Sequence, residues 1–287
     1  MVELAEFDVL TREVLHWQGL HLFHFSGSSC SQKLRIYVRL KNIELTLHPV
    51  NLVKRENQTD WYMGINPRGL VPTLIDDGKV IIESNDIITY LENKFPTPEL
   101  IPDGQAEEVS ELLDFEDRLH MDLRAITMRF FVPSAMAQRS DEQLAHYEKA
   151  GSGQVCGRPD DHKAGELAFW QDMKAHNGIP DARAQAAVTA LRTALETHEA
   201  TLRKQPYLLG NTLSVVDIAW YIYANRLIGA GYPLATLHPH VGAWFDGLHK
   251  RPLFRNEVKT PLPVKLISAA TRLAHRAGRR HIQTFIS

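Results

Sequence analysis

Leu20-His21-Leu22-Phe23-His24-Phe25 alternates apolar and mixed side chains at period two, which predicts a strand. Ser26-Gly27-Ser28-Ser29 turns the chain. Leu34, Tyr37 and Val38 then recur at helical spacing among Lys33, Arg35 and Arg39, the pattern of an amphipathic helix. Leu45 to Val50 reads as a second strand. The polar stretch 51–66 holds a short helix near Asp60-Trp61-Tyr62. Thr73-Leu74-Ile75 and Val80-Ile81-Ile82 flank Asp76-Asp77-Gly78-Lys79, a hairpin turn of the Asp-Gly kind. Ser84 is expected to cap a helix through Asn93 that buries Ile87, Ile88 and Leu91. The order is βαβ, then a ββ hairpin, then α, and the βαβ unit implies a parallel strand pair with a right-handed crossover.

Phe95-Pro96-Thr97-Pro98 ends this pattern with a stiff linker. Beyond it we expect helices only. Residues 107–131 repeat at helical period through Leu112, Phe115, Leu119 and Leu123, and further helices are predicted over 183–204, 214–230 and 238–250. The class therefore changes near residue 100, from α/β to all-α. The expected division is an extension over 1–18, an α/β domain over 19–95, a linker over 96–106, a helical domain over 107–255 and a tail over 256–287. Residues 133–180 form an insertion in the helical part. It is punctuated by Gly151-Ser152-Gly153 and Gly157-Arg158-Pro159-Asp160, with a short helix around Phe169, Trp170 and Met173. A segment of this length is either a lid or a packed surface loop.

Composition narrows the function. The 287 residues carry a net charge of −2, so no global field recruits nucleic acid or anionic lipid. Cys30 and Cys156 are too few and too far apart for a disulfide framework or a zinc site, and they read as reduced thiols of a cytoplasmic protein. The N-terminus lacks a cationic region followed by an apolar one, so no signal peptide is expected. No apolar run is long enough to span a membrane. The tail from 263 on holds Lys265, Arg272, Arg276, Arg279 and Arg280 and no acid. We expect a helix packed on its own domain or on a partner subunit, with a membrane-surface helix as the other reading.

Three local features carry chemistry. Val71-Pro72 is expected to open a strand at a sheet edge. A cis bond there would turn the Val71 backbone toward an extended peptide ligand, whereas a trans bond would make it an ordinary strand start. Ser84, at a helix start, forms an anion site, and Glu83 beside it accepts an ammonium group; together they match an amino-acid head group. Ser28-Ser29-Cys30-Ser31 lies at a strand-to-helix turn, where a serine hydroxyl and the helix N-terminus favour a nearby thiolate. Each serine also reads as a plain helix cap.

The order and spacing of these features resemble the N-terminal domain of cytosolic glutathione transferases, and Ser-Ser-Cys-Ser at 28–31 is similar to the zeta-class active-site motif. The resemblance implies a thioredoxin-like domain followed by an all-α domain. It makes Ser28 the catalytic activator of glutathione, the co-substrate, which would be held by Ser29, Lys54, Val71, Pro72, Glu83 and Ser84, with no metal. Cys30 lies two residues past the nucleophile position, so a thiol oxidoreductase is a lesser alternative. Leu209-Gly210-Asn211-Thr212-Leu213-Ser214-Val215-Val216-Asp217 resembles the family's capping box, which makes Asp217 structural. The second substrate is expected among Phe25, His120, Arg124, Met128 and Tyr223. The helical half resembles bacterial β-aryl-etherases that act on lignin fragments, while the serine motif points to isomerase or dehalogenase chemistry. A non-catalytic binding protein is the other alternative. The family also implies a dimer, homo- or hetero-.

Overall fold

A computed structural model describes residues 1–278 and 280–286, and of Ala135 and Pro263 the backbone only; Arg279 and Ser287 lie outside the described residues. The chain divides into two compact units, 1–98 with 139–171, and 99–138 with 172–286.

The first unit is built on a five-stranded sheet of order β1-β5-β4-β2-β3. The strands are β1 (Val2–Glu3), β2 (Leu20–His24), β3 (Thr46–Pro49), β4 (Thr73–Asp76) and β5 (Lys79–Ile82). Only β2 and β3 run parallel, joined by helix α1 (Ser29–Leu40), as the βαβ pattern requires. Leu22 sits opposite Leu47 on one side and Leu74 on the other, and is fully buried. A one-turn helix α2 (Asp60–Met63) follows β3, and α3 (Ser84–Lys94) packs against α1. Glu83 is the N-cap of α3, at φ 67°, and Ser84 is its first helical residue. Ser84 is therefore not the cap expected from sequence; it stands one position inside.

Residues 1–18 are part of this unit. Val2 and Glu3 pair with Ile82 and Ile81, and Leu4, Val9 and Val14 join Phe23, Ile75 and Val80 in the core. The Met1 ammonium and the Val2 N–H both reach Asp86, in the first turn of α3. A strand of two residues is too short to show a period, so it reads in sequence as an extension.

The middle of the insertion also belongs to the first unit. After the single turn α6 (Ser134–Ala137) come α7 (Asp141–Lys149), the hairpin β6 (Gln154–Val155) and β7 (Arg158–Pro159), and α8 (His162–Ala175). The hairpin is a strand pair where only helices were expected. Tyr147 donates its hydroxyl to the Arg68 carbonyl at 2.8 Å, and the Gly157 N–H reaches Asp8 at 3.1 Å. The Arg139 guanidinium lies 3.8 Å from the Trp170 ring centre, a cation–π contact. At Gly151, with φ +77°, a Cβ would stand 2.9 Å from the Met63 carbonyl oxygen, so only glycine allows this approach.

The second unit is helical. It comprises α4 (Ala106–Arg118), α5 (His120–Phe130), α9 (Asp181–Leu202), α10 (Val215–Ala230), the turn α11 (Leu234–Leu237), α12 (Pro239–His249), α13 (Pro252–Glu257) and α14 (Leu262–Ala277). The single helical pattern over 107–131 breaks at Leu119, whose N–H bonds the Glu116 carbonyl in a tightened turn. Tyr223 donates its hydroxyl to that same carbonyl at 3.0 Å, a side chain inserted into the helix ladder. α10 is buried along nearly its whole length and packs against α4, α5 and α12. The expected capping box is present: Asp217 accepts from the Ser214 N–H and hydroxyl. Glu199 closes α12 by accepting the His240 and Val241 N–H groups at 2.9 Å. α14 packs on its own unit through Ser268, on the Phe131 carbonyl, and Arg272, on the Gly229 carbonyl, while Leu262, Leu266 and Leu273 face outward. Among the described residues no helix is long and apolar enough to cross a membrane.

Candidate functional site

The loop between β2 and α1 is held from below by side chains of α1. The Arg35 guanidinium, almost fully buried, donates to the carbonyls of Phe25 at 3.1 Å and Ser26 at 3.2 Å, and meets His24 Nδ1 at 2.7 Å. Burial, then the charges of Arg35 and Arg39, lower the His24 pKa to about 4, so His24 is neutral and its Nδ1 accepts from Arg35. Ser31, also buried, accepts the Phe25 N–H at 3.3 Å. This scaffold presents Ser28 as the N-cap of α1. Its hydroxyl accepts from the Ser31 N–H at 3.3 Å and donates to the Val71 carbonyl at 3.4 Å. Both bonds are long, so a better acceptor can displace the second cheaply. Ser29 and Cys30 are partly exposed in the same first turn.

The Val71-Pro72 bond is cis. Its segment is set by a buried polar frame. Asn66 donates to the Leu70 carbonyl at 3.0 Å and to Thr73 Oγ1 at 2.9 Å, and the Tyr62 hydroxyl donates to the Leu70 carbonyl at 2.6 Å. Among the described residues the Val71 N–H has no hydrogen-bond partner, which leaves it available to an extended ligand. Ser28 and Val71 are thus brought together from positions 43 residues apart.

Glu83 and Ser84 lie at the start of α3. The Ser84 hydroxyl has no partner among the described residues, and the N–H groups of the first helical turn surround it. Glu83 is not alone: its Oε1 accepts from Arg68 Nη1 at 2.5 Å. Arg68 also makes a bidentate pair with Asp160, Nε to Oδ2 at 2.9 Å and Nη2 to Oδ1 at 2.7 Å. Burial opposes the Arg68 charge, but the hydrogen bonds and charges of Asp160 and Glu83 outweigh it and hold the guanidinium above its ordinary pKa. A non-glycine residue at φ 67° costs about 1–3 kcal/mol and persists where its surroundings over-determine it; the Arg68 pair does that for Glu83. Lys54 is exposed after β3, its N–H on Asn51 Oδ1.

Among the second-substrate candidates, Phe25 packs at the margin of the first unit's core. His120, Arg124 and Met128 are spaced by four residues on one partly exposed face of α5. Tyr223 is 1% exposed and its hydroxyl lies 3.5 Å from His120 Nδ1, so it backs His120 from within the core. Sequence reasoning missed Arg35, Arg68 and Asp160. Arg68 stood inside the Asn66-Pro67 to Pro72 segment, but its partner lies 92 residues away and no local pattern links them. Among the described residues no group of three or more His, Cys, Asp or Glu is arranged to hold a metal. The depression of about 260 Å³ bordered by Arg35, Arg39 and Leu47 includes none of the candidate residues.

The glutathione S-transferase N-terminal domain profile matches residues 22–99, and the C-terminal domain profile matches residues 181–247. The protein LigF of Sphingobium sp. strain SYK-6 is 28% identical over 246 residues, covering 82% of this chain and 91% of LigF. The crystal structure of LigF, described as a beta-etherase, superposes with a TM-score of 0.68 over 84% of this chain and 98% of that one. Glutathione S-transferase Z2 of Arabidopsis thaliana is 41% identical over 83 residues, which span 29% of this chain and 37% of that protein. Maleylpyruvate isomerase of Ralstonia sp. is 39% identical over 83 residues, 29% of this chain and 39% of that protein. The insertion that carries Asp160 falls between the two matched profiles. With a small mixed sheet ahead of a helical domain, and both domain profiles matched in order, the chain belongs to the glutathione S-transferase family.

Proposed function

We propose that this protein uses glutathione to cleave aromatic ethers of the β-aryl type, with Ser28 as the hydrogen-bond donor to the glutathione sulfur. The observation that carries the reading is the extent of the likeness to LigF, which runs through both units. The zeta-type likenesses cover only 83 residues, 29% of this chain. The electrophile is chosen in the helical half, so a likeness that includes it says more about substrate.

Glutathione lies along the cis-proline segment, its backbone on Val71 and its γ-glutamyl head group at Glu83 and Ser84. Ser29 and Lys54 take the remaining polar ends. The bound thiol loses its proton to solvent. The thiolate then attacks the ether carbon, so a C–S bond forms as the C–O bond breaks. The phenolate leaves with the bonding electrons and takes up a proton. His120 and Arg124 lie on the α5 face with Met128 and are suited to steady that charge.

A thiol of pKa about 8.5 is only a few per cent thiolate at neutral pH; lowering it by about two units raises that fraction some twentyfold to thirtyfold. Nucleophilicity falls with pKa, with a slope near 0.5, and removes about tenfold of the gain. Most of the acceleration therefore comes from holding the electrophile in line with sulfur.

The test is product analysis with glutathione and a model β-aryl ether: released phenol together with a glutathione thioether is expected. Isomerised maleyl substrates or released halide, without phenol, would favour the zeta-type reading that the 41% likeness over 83 residues supports. No glutathione-dependent turnover across such a panel would leave a binding protein. The family likeness adds a dimer to this reading, which analytical ultracentrifugation checks.

A further inference from the structure

We infer that Asp160, from the insertion, completes the subsite for the ammonium group of glutathione. The inference rests on the glutathione-binding reading above. Glu83 and Arg68 by themselves are a self-neutralised pair: the 2.5 Å bond sets one negative charge against one positive. Such a pair offers a cationic head group little attraction. Asp160 changes this by clamping Arg68 from its other side, through the two bonds at 2.9 and 2.7 Å. Two lysines border the cluster: Lys163 is held on the Ala150 carbonyl, and Lys33 donates to Asn85 Oδ1 at 2.6 Å. Two carboxylates on one guanidinium leave this three-residue cluster with one net negative charge, and an ammonium is what balances it.

Burial strengthens the argument. The side chains of Arg68 and Asp160 are 13% and 10% exposed, while Glu83 is 30% exposed. The shielded Asp160–Arg68 fork thus leaves Glu83 as the accessible carboxylate of the group. Asp160 does not touch the ligand in this arrangement. It is a positioning residue that acts through Arg68 and through the field. A chain without the insertion would lack the second carboxylate, so this subsite is particular to the insertion.

Calorimetry on the full-length protein tests this with two ligands, glutathione and N-glutaryl-cysteinylglycine, which is glutathione without its α-amino group. The wild type should prefer glutathione by tenfold or more. Asp160→Asn should weaken glutathione about tenfold and leave the des-amino analogue unchanged, so that the preference collapses; Asp160→Glu should keep it. Equal weakening of both ligands, or no change in either, overturns the inference while the glutathione-binding reading stands. A wild type that binds neither ligand overturns both.

Discussion

Two helices of this protein open on a serine, and they use it differently. At the start of α10, Ser214 is fully buried. Its N–H and hydroxyl both donate to Asp217 Oδ2, at 3.0 and 2.8 Å, and Asp217 Oδ1 takes the Leu208 N–H and the Trp244 indole, each at 2.9 Å. At the start of α1, Ser28 is partly exposed, and among the described residues its hydroxyl makes only the long bonds to Ser31 and Val71. The residue three positions into each helix accounts for the difference. In α10 it is an aspartate that reaches back; in α1 it is Ser31, which is turned inward to the Phe25 N–H. A saturated serine closes a helix, whereas an under-used one keeps bonding capacity for a ligand. This is why Ser28 suits the role proposed for it and Ser214 does not.

The sharpest way to break this contrast is Asp217→Ala. Four donors lose their acceptor in a buried site, so the loss of stability should be on the order of 4 kcal/mol by urea denaturation. A loss under about 1 kcal/mol would mean the box is idle. Burial raises the Asp217 pKa while its hydrogen bonds oppose the rise, so those bonds are what keep an ionised carboxylate tolerable there.

Acid comes next. His198 of α9 meets Trp220 of α10 edge to face with ring centres 4.1 Å apart, and burial lowers its pKa to about 4. Its folded pKa lies below the unfolded value of about 6.5, so its contribution is complete above pH 6.5 and is lost as pH falls toward 4. The melting temperature should drop through that window, with up to about 3 kcal/mol at stake from this group. His198→Met should flatten the fall, and an unchanged acid limb would show that the histidine is not its source.

Arg35→Met tests the α1 side. Removing the guanidinium takes the donor from the Ser26 carbonyl and leaves the Phe25 carbonyl only the Ser28 N–H, costs about 2 kcal/mol and lowers kcat at least tenfold by loosening the Ser28 loop. Arg35→Lys should not rescue it, since an ammonium cannot span those acceptors in one plane. Ser28→Ala has the smallest effect. We expect about 0.5–1 kcal/mol from the lost cap and only a few-fold fall in kcat at neutral pH. At saturating glutathione the pH profile of kcat/KM for the electrophile should move up, by less than about two pH units because the helix N-terminus remains. An unmoved profile would reduce Ser28 to a cap like Ser214.

Much of this was readable from residues alone. The βαβ–ββα order, the change of class after the prolines and the Ser214–Asp217 box follow from period and capping chemistry, which are local. The cis bond at Pro72 stood as one of two readings, and the family frame assigned Ser28, Val71 and Pro72 to glutathione without the contact between Ser28 and Val71. What escaped was carried by distance in sequence or by brevity. The two-residue β1 has no period to detect. The break at Leu119 is imposed by Tyr223 from another helix. Asp160 reads as part of a turn until the chain folds it back onto Arg68. Glu83 takes the cap position in place of Ser84 because Arg68 holds it at a φ that its own residue type does not favour.

The sheet has one consequence for life at high concentration. Its outer strands are β1, with two residues, and β3, with four, the last of which is Pro49, lacking an N–H. The longer β5 is sealed beneath the chain's own first residues. Filament growth by strand addition needs a run of unpaired backbone at both margins, and here both margins are too short or too poor in donors to template another copy.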